Sequence, residues 1–229
     1  FNMKQKFTVL FDLDGTLVDT APDLMRAHNH VMQKFGYPTK STEEIRNLVG
    51  KGAGAMIGRS IWGQAKKEFS KVLDEKIKDE MVKEFVSFYG KNIFNESTLV
   101  NGVKEFLIWC KEQSISMAVC TNKQEHLSND LLKKIGIYDF FEYVAGSDTF
   151  DYCKPDPRHL TNVVEILDGD VKKTIMIGDS ETDANAAKAA EIPVILLENG
   201  YTEKNTTEIY HNHLIKDFIG IEKIITKYL

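Results

Sequence analysis

Two aspartates separated by one residue, Asp12 and Asp14, lie in the segment FDLDGT at residues 11–16. They follow a short apolar run typical of a buried strand, and open α/β sheets place their ligands at the carboxyl ends of strands. Side chains two apart on an extended segment share a face but are held roughly 6 to 7 Å apart along the strand. A turn at Gly15 would bring both carboxylates to one site, where they could bind a cation or react with a substrate.

A calcium-binding loop is the main alternative for this acidic pair. An EF-hand loop needs a glycine at its sixth position and a glutamate at its twelfth. Counted from Asp12, those positions hold Val18 and Asp23. The sequence therefore excludes an EF-hand.

A second acidic pair, Asp179 and Asp183, lies in the segment GDSETD at residues 178–183. Residues four apart share one face of a helix, so both carboxylates could reach the same site. A helix N-terminus with acidic residues opposite the helix dipole explains the pair equally well when it is taken alone. The presence of Asp12 and Asp14 favours a shared site.

Two weaker signals follow other predicted strands. Thr121 and Asn122 could bind phosphate oxygens through a hydroxyl and an amide, or could simply cap a helix. Lys154 lies in the segment DYCKPDP at residues 151–157, which its two prolines make stiff and non-helical. Such a loop could hold a lysine at a fixed point, although a surface lysine in a turn fits the same pattern.

The elements that must position these residues follow from hydrophobic patterning. Short apolar runs alternate with helical patterns, which predicts βα units and a parallel sheet. The predicted strands are Phe7–Phe11, Ser116–Cys120, Tyr143–Ala145, Thr174–Ile177 and Val194–Leu197.

Segments with helical periodicity lie between the predicted strands and after the last of them. The predicted helices have apolar stripes at a spacing of three to four residues. These stripes begin at Val103, Leu127, Leu160 and Leu214, and the last of them extends to Tyr228.

Residues 20–91 contain helical patterns but no convincing strand. One predicted helix begins near Pro22, and a second runs through Phe69, Val72, Leu73, Ile77, Phe85 and Phe88. So long a helical segment exceeds what a crossover between two strands needs, so we expect an inserted helical cap.

The four motifs, in this order and each after a predicted strand, resemble those of the haloacid dehalogenase superfamily of phosphatases. The likeness extends over nearly the whole chain and is closer to phosphoglycolate phosphatase-like members with an all-helical cap. The likeness rests on residues 11–24, 50–53 with Arg59, 146–150 with 154–157, and 178–183. The resemblance implies an α/β fold: a Rossmann-like parallel sheet of five or more strands flanked by helices. The catalytic core would comprise residues 1–19 and 92–229, and the cap residues 20–91.

The resemblance also implies a mechanism. Asp12 would attack phosphorus to form an aspartyl-phosphate, and Asp14 would protonate the leaving oxygen and then activate water. Mg²⁺ would be held by the Asp12 carboxylate, the Asp14 backbone carbonyl and Asp179. Ser180 and Asp183 would lie behind these ligands, with Asp183 orienting Lys154 or a water on the metal. The expected phosphate-binding residues are Gly15, Thr121, Asn122 and Lys154.

Charge counting supports a cation at this site. The four carboxylates of Asp12, Asp14, Asp179 and Asp183 carry −4, whereas one divalent ion and Lys154 supply +3. A single negative charge remains, and we expect a proton on Asp14 to remove it. The site therefore needs its metal before an anionic substrate can enter.

The glycine-rich segment GKGAG at residues 50–54 is the best candidate for a substrate-facing loop of the cap. A plain helix–helix turn is the alternative. Lys51 and Arg59 are the cap residues that could bind substrate. Arg59 could clamp a carboxylate such as that of glycolate, or could form an ordinary salt bridge within the cap.

Composition limits the partners and the compartment. The net charge of −5 disfavours nucleic acid, and no apolar run approaches the ~20 residues that span a membrane. Three cysteines without a CxxC pair, and an N-terminus without an apolar signal segment, predict a cytoplasmic protein.

The expected substrate is a small phosphate ester, with phosphoglycolate first. A β-phosphoglucomutase-like phosphomutase or a pyrophosphatase on the same frame remains an alternative. A non-catalytic binding protein is a further one, although such a protein would normally lack one of the site carboxylates. The chain is expected to be a monomer or a homodimer.

Overall fold

A six-stranded sheet forms the centre of the molecule, which the computed structural model describes over residues 6–68 and 75–229. The strand order is β5-β4-β1-β6-β7-β8, and every neighbouring pair is parallel. The expected parallel α/β sheet is therefore confirmed. Its strands are β1 Thr8–Phe11, β4 Ser116–Cys120, β5 Tyr143–Ala145, β6 Thr174–Gly178, β7 Val194–Leu197 and β8 His213–Ile215.

A short antiparallel ribbon stands apart from this sheet. Its two strands are β2 Val18–Asp19 and β3 Thr98–Leu99, with Val18 opposite Leu99. The chain leaves β1 through β2 and returns through β3 before it forms the rest of the sheet. The ribbon therefore holds the two ends of the intervening helical segment side by side.

Between β2 and β3 the described residues form four helices. They are α1 Ala21–Phe35, α2 Thr42–Arg46, α3 Ala53–Glu68 and α4 Glu75–Lys91. Pro22 lies in the first turn of α1, where its missing N–H costs no hydrogen bond. Phe85 is buried on α4, whereas Phe69, Val72 and Leu73 of the predicted second helix lie outside the described residues.

The remaining helices cover both faces of the sheet. They are α5 Val103–Glu112, α6 Glu125–Ile135, α7 Arg158–Ile166, α8 Glu181–Ala189 and the short α9 Glu222–Ile225. Short 3-10 helices follow at Tyr138–Phe140, Val171–Lys173, Thr206–Glu208 and Thr226–Tyr228.

The two faces of β1 belong to different parts of the core. Phe11 packs against the rings of Phe106, Phe141 and Phe218, with centroids 5.7 to 6.4 Å apart. Leu10 points to the opposite face and joins the residues of α7 and α8. Because both faces are covered, β1 is fully buried, as its continuous apolar sequence predicts.

The C-terminal segment differs from the prediction. The apolar stripe from Leu214 to Tyr228 predicts one helix, but its first residues form β8 at the edge of the sheet beside β7. Gly220 adopts a positive φ of 79°, which ends any continuous helix there, and only Glu222–Ile225 is α-helical. Pairing with β7 supplies backbone hydrogen bonds that the local pattern does not reveal.

Within the described residues, no helix combines the length and the apolar character needed to cross a bilayer.

Candidate active site

The sequence-predicted residues meet at the carboxyl edge of three adjacent strands. Asp12 follows β1, Thr121 and Asn122 follow β4, and Asp179 follows β6. Since β1 lies between β4 and β6, these side chains converge on one point. All four are buried, with 1 to 7% of their surface exposed.

Gly15 makes the close approach of the two motifs possible. Its φ is +79°, a conformation that favours glycine, and a Cβ at this position would lie 2.2 Å from Asp179 Oδ2. Any larger residue would displace that carboxylate. The next residue, Thr16, donates its hydroxyl hydrogen bond to Asp179 Oδ1 over 3.1 Å, so the turn both admits and orients Asp179.

Three carboxylates gather at this point. Asp12, Asp179 and Asp183 each place one oxygen within 4.8 Å of those of the other two. Burial raises the pKa of Asp12 to about 7, with a further contribution from Asp183 and opposition from Lys154. Burial also raises the pKa of Asp179 well above its ordinary value, and the charges of Asp12 and Asp183 add to this. Such mutual repulsion is relieved by a cation.

Asp183 is held by donors on both of its oxygens. Lys154 Nζ donates to Oδ1 over 2.5 Å, and Oδ2 accepts from the backbone N–H groups of Asp179 and Ser180 and from the Ser180 hydroxyl. Lys154 Nζ also lies 3.1 Å from Asp12 Oδ1. Asp183 therefore positions Lys154 beside Asp12, and Ser180 positions Asp183.

Asn122 makes contacts other than those expected of a phosphate ligand. Its Nδ2 donates to the carbonyls of Gly50, over 3.0 Å, and Lys154, over 2.8 Å. The reverse orientation of the amide would face its oxygen with two carbonyl oxygens. Both N–H bonds are therefore engaged, and Asn122 ties the glycine-rich loop to the Lys154 segment. Its buried Oδ1 has no partner among the described residues and can only accept a hydrogen bond.

Lys123 is the main site residue that the sequence motifs do not predict. Its buried ammonium donates to Asp14 Oδ1 over 2.7 Å and to the Tyr89 hydroxyl over 2.9 Å. Although burial acts in the opposite direction, the neighbouring Asp14 and Tyr89 raise the pKa of Lys123. The signal that could have found it is its position directly after Thr121 and Asn122, at the same sheet edge.

Lys123 changes the charge count. The sequence count left one negative charge, to be removed by a proton on Asp14. In the structure Asp14 forms an ion pair with Lys123, so the pair is neutral. Asp12, Asp179 and Asp183 together with Lys154 then carry −2, which one divalent cation balances.

A cavity of about 230 Å³ opens above Asp12 and Asp14. Lys51 lies on its wall, whereas Arg59 is absent from the lining and pairs with Glu203. Much of the remaining wall is apolar. The apolar side chains of this wall are those of Leu24, Val49, Ala53, Ala55, Met56, Phe85 and Leu127.

Tyr201 and Thr20 make further contacts with the site aspartates that the sequence motifs do not predict. The Tyr201 backbone N–H donates to Asp179 Oδ2 over 2.7 Å, and the Tyr201 hydroxyl contacts Asp19 and accepts from Ala21 N–H. The Thr20 hydroxyl donates to Asp14 Oδ1 over 2.7 Å. The start of α1 is therefore tied directly to the acidic cluster.

The acidic cluster suits a hard divalent cation. Its ligand atoms are oxygens, which Mg²⁺ prefers, and the charge of such an ion would balance the net charge of −2 that remains on the cluster and Lys154. Asp12 and Asp179 are the candidate ligands, because Asp183 is occupied by Lys154 and by backbone donors.

A parallel α/β fold with an acidic site at the carboxyl edge of its sheet is the class that these observations define. A sequence profile of the haloacid dehalogenase-like hydrolases matches residues 9–197, and the chain belongs to that family.

The relatives narrow the class. The phosphoglycolate phosphatase of Mesorhizobium japonicum is 38% identical over 210 residues, covering 92% of this chain and 90% of that protein. That of Agrobacterium fabrum is 37% identical over 223 residues, covering 95% and 94%. A crystal structure described as a predicted phosphoglycolate phosphatase from Haemophilus somnus 129PT superposes with a TM-score of 0.90 at 30% identity, covering 97% of this chain and 99% of that one.

This protein is accordingly a phosphatase similar to the phosphoglycolate phosphatases, as the motifs suggested. The alternative of a non-catalytic binding protein does not hold.

Proposed function

We propose that this phosphatase hydrolyses phosphoglycolate with Mg²⁺ through an aspartyl-phosphate on Asp12. The observation that carries the proposal is the convergence of Asp12, Asp179 and Asp183 around one point, with Lys154 between Asp12 and Asp183. The names of the full-length relatives support the substrate.

Asp12 is the nucleophile because it is the carboxylate common to the cavity and the acidic cluster. Lys154, 3.1 Å from Asp12 Oδ1, is placed to neutralise phosphoryl oxygens as the new bond forms. Thr121 and Gly15 complete the phosphate-binding edge. Asn122 acts indirectly, by fixing the Lys154 segment and the Gly50 loop.

Asp14 is the general acid and base. It lies on the cavity wall, beyond Asp12, and its Oδ1 is fixed by Thr20 and Lys123. From there it can pass to the leaving oxygen a proton that it takes up when the phosphate dianion binds, and can later withdraw one from the attacking water.

Mg²⁺ would be held by the carboxylates of Asp12 and Asp179 and by the Asp14 backbone carbonyl. When bound, it supplies positive charge that lets a phosphate dianion approach the carboxylates and that stabilises the transition state.

The helices between β2 and β3 form the cap, residues 20–91, over a core of residues 1–19 and 92–229. Contacts of Tyr89 and Gly50 with Lys123 and Asn122 support a cap that closes the site from water. All three cysteines are unpaired, which supports a reducing compartment such as the cytoplasm.

Phosphate release tests the function. Purified protein should release inorganic phosphate from phosphoglycolate with Mg²⁺ and lose this activity when the metal is chelated. Asp12→Asn should reduce kcat by at least about 10⁴-fold, since it removes the nucleophile. Turnover of sugar phosphates and of pyrophosphate is measured for comparison, because these are the substrates of the alternative functions. Faster turnover of either, or undiminished activity of Asp12→Asn, would contradict the proposal.

A further inference from the structure

The cavity contains a buried cation, Lys123, to which the proposed function gives no contact with the substrate. Among the described residues that line it, the charged side chains are Asp12, Asp14, Lys51 and Lys123. Lys51 is exposed, whereas Lys123 is only 8% exposed. A buried ammonium on the wall of a substrate cavity costs desolvation free energy, which anionic partners and hydrogen-bond acceptors offset, and Asp14 is one such partner.

One hydrogen-bond donor of Lys123 remains open. An ammonium has three N–H donors, and two of them are used by Asp14 Oδ1 and the Tyr89 hydroxyl. The described part of the chain offers no third acceptor. Tyr89 also lies with its ring centroid 4.5 Å from Nζ, so the ammonium is fixed in position from the side of α4.

Lys154 demonstrates in the same site that one ammonium can serve two carboxylates. Its Nζ lies 3.1 Å from Asp12 and 2.5 Å from Asp183. Lys123 has the same chemistry but contacts a single carboxylate, that of Asp14. A second carboxylate, supplied by a ligand, would complete the equivalent arrangement.

The position of Lys123 fits the leaving group of the substrate. Asp14, which in the proposed function protonates the leaving oxygen, lies 2.7 Å from Lys123 Nζ. In phosphoglycolate the carboxylate is attached to the carbon that carries the ester oxygen. A leaving oxygen at Asp14 therefore brings that carboxylate within hydrogen-bonding reach of Lys123.

We propose that Lys123 is a specificity-determining residue that binds the carboxylate of substrates whose carboxylate lies on the ester-bearing carbon. This inference rests on the proposed function, because it deepens the account of the same site. It assigns to the buried Lys123 of the core the recognition that the sequence suggested for Arg59 of the cap. Arg59 pairs with Glu203 and does not line the cavity.

Turnover of two matched esters tests the proposal. Ethyl phosphate replaces the carboxylate of phosphoglycolate by a methyl group. Lys123→Met should lower the ratio of kcat/KM for phosphoglycolate to that for ethyl phosphate by about 10- to 100-fold, the usual effect of a charged hydrogen bond. Lys123→Arg should retain part of the preference. Lys104→Met, which removes an exposed lysine of α5 outside the cavity, is the control and should leave the ratio unchanged.

A loss in Lys123→Met that is equal for both esters would overturn the proposal, since Lys123 would then only position Asp14. A wild-type protein that hydrolyses both esters with the same kcat/KM would also overturn it. Circular dichroism should show that Lys123→Met retains the wild-type fold, and Lys123→Arg keeps the test decisive if it does not.

A binding measurement separates this inference from the proposed function. Calorimetry with Asp12→Asn and Mg²⁺ compares binding of the two esters without turnover. Tighter binding of phosphoglycolate that Lys123→Arg largely keeps and Lys123→Met removes would support Lys123 even if the wild type hydrolysed neither ester. Equal binding of the two esters by Asp12→Asn, or a preference that survives Lys123→Met, would refute it.

Discussion

At the scale of single residues, Gly15 and Lys123 show what a motif conveys and what it omits. The spacing of Asp12, Asp14 and Gly15 was sufficient to predict a turn at the strand end, because only certain backbone conformations bring both aspartates to one place. The ion pair of Asp14 with Lys123 was not predictable from either segment alone. It depends on the adjacency of β1 and β4, which is a property of the sheet.

Replacement of Gly15 by alanine tests the turn. The new Cβ would lie 2.2 Å from Asp179 Oδ2 and close to the Tyr201 ring, in a backbone conformation that already disfavours alanine. We expect a loss of kcat of at least about 100-fold, because small displacements of positioned groups are costly to catalysis. Steady-state kinetics would measure it.

The matched control is Gly36→Ala, at an equally positive φ with no neighbour within 4 Å of the added Cβ. It should lower stability by about 1 kcal/mol, as expected for strain without a clash, and leave kcat near the wild-type value. Similar kinetics for the two variants would contradict the argument from Asp179.

At the scale of elements, Asp23 joins the beginning and the end of the helical segment. Its buried carboxylate, in the first turn of α1, accepts hydrogen bonds from the backbone N–H groups of Asn95, Glu96 and Ser97 and from the Ser97 hydroxyl. Burial acts to raise the pKa of Asp23, but the hydrogen bonds from Ser97 and its neighbours outweigh it and lower the pKa. The anchor lies just before β3, so it reinforces the β2–β3 ribbon.

Asp23→Ala should therefore destabilise the protein. It leaves three backbone N–H groups without their acceptor, and a deletion of this kind typically costs about 2 to 4 kcal/mol. Chemical denaturation would measure the change in the free energy of unfolding. Asp156→Ala, which removes an exposed pair with Arg158, is the control and should cost less than about 1 kcal/mol. An equal cost for the two variants would contradict the anchoring role.

The elements also show where pattern reasoning succeeded. The five predicted strands are present with nearly the same bounds, because a buried parallel strand needs a continuous apolar run whatever surrounds it. The prediction of a helix at the edge strand β8 is wrong. Its sequence, His213–Ile215, is half-exposed, and its strand conformation depends on β7 as a partner rather than on its own pattern.

At the scale of the whole molecule, His159 links stability to pH. The imidazole is fully buried, and its Nε2 bonds to the Gly146 carbonyl, while Nδ1 has no partner in the part of the chain that the structure describes. Burial lowers its pKa from 6.5 to about 4, with Lys154 acting in the same direction. The folded protein therefore keeps this ring neutral at a pH where the unfolded chain binds a proton.

The sign of the effect follows from proton linkage. Between about pH 6.5 and pH 4 the unfolded state holds more protons on this ring, so its contribution to stability is full above pH 6.5 and declines as the pH falls. The slope is at most about 1.4 kcal/mol per pH unit. The raised pKa of Asp12 acts in the opposite direction over the whole of this range, so the measurement must be a difference.

Denaturation of wild type and His159→Gln at pH 4.5, 5.5 and 7.5 would supply this difference. Glutamine keeps a donor for the Gly146 carbonyl but does not titrate. We expect the stability of the wild type relative to the variant to fall on acidification. Parallel pH profiles would exclude His159 as the source.

The β2–β3 ribbon has a consequence for how such a protein can change. The chain departs at Val18 and comes back at Leu99, directly across one pair of strands. An excursion whose two ends meet at neighbouring points can be lengthened, shortened or exchanged without altering the spacing of the remaining framework. The ribbon thus serves as an insertion site. Different inserted segments can be accommodated above an unchanged catalytic site, so substrate selectivity can diverge while the catalytic chemistry is kept.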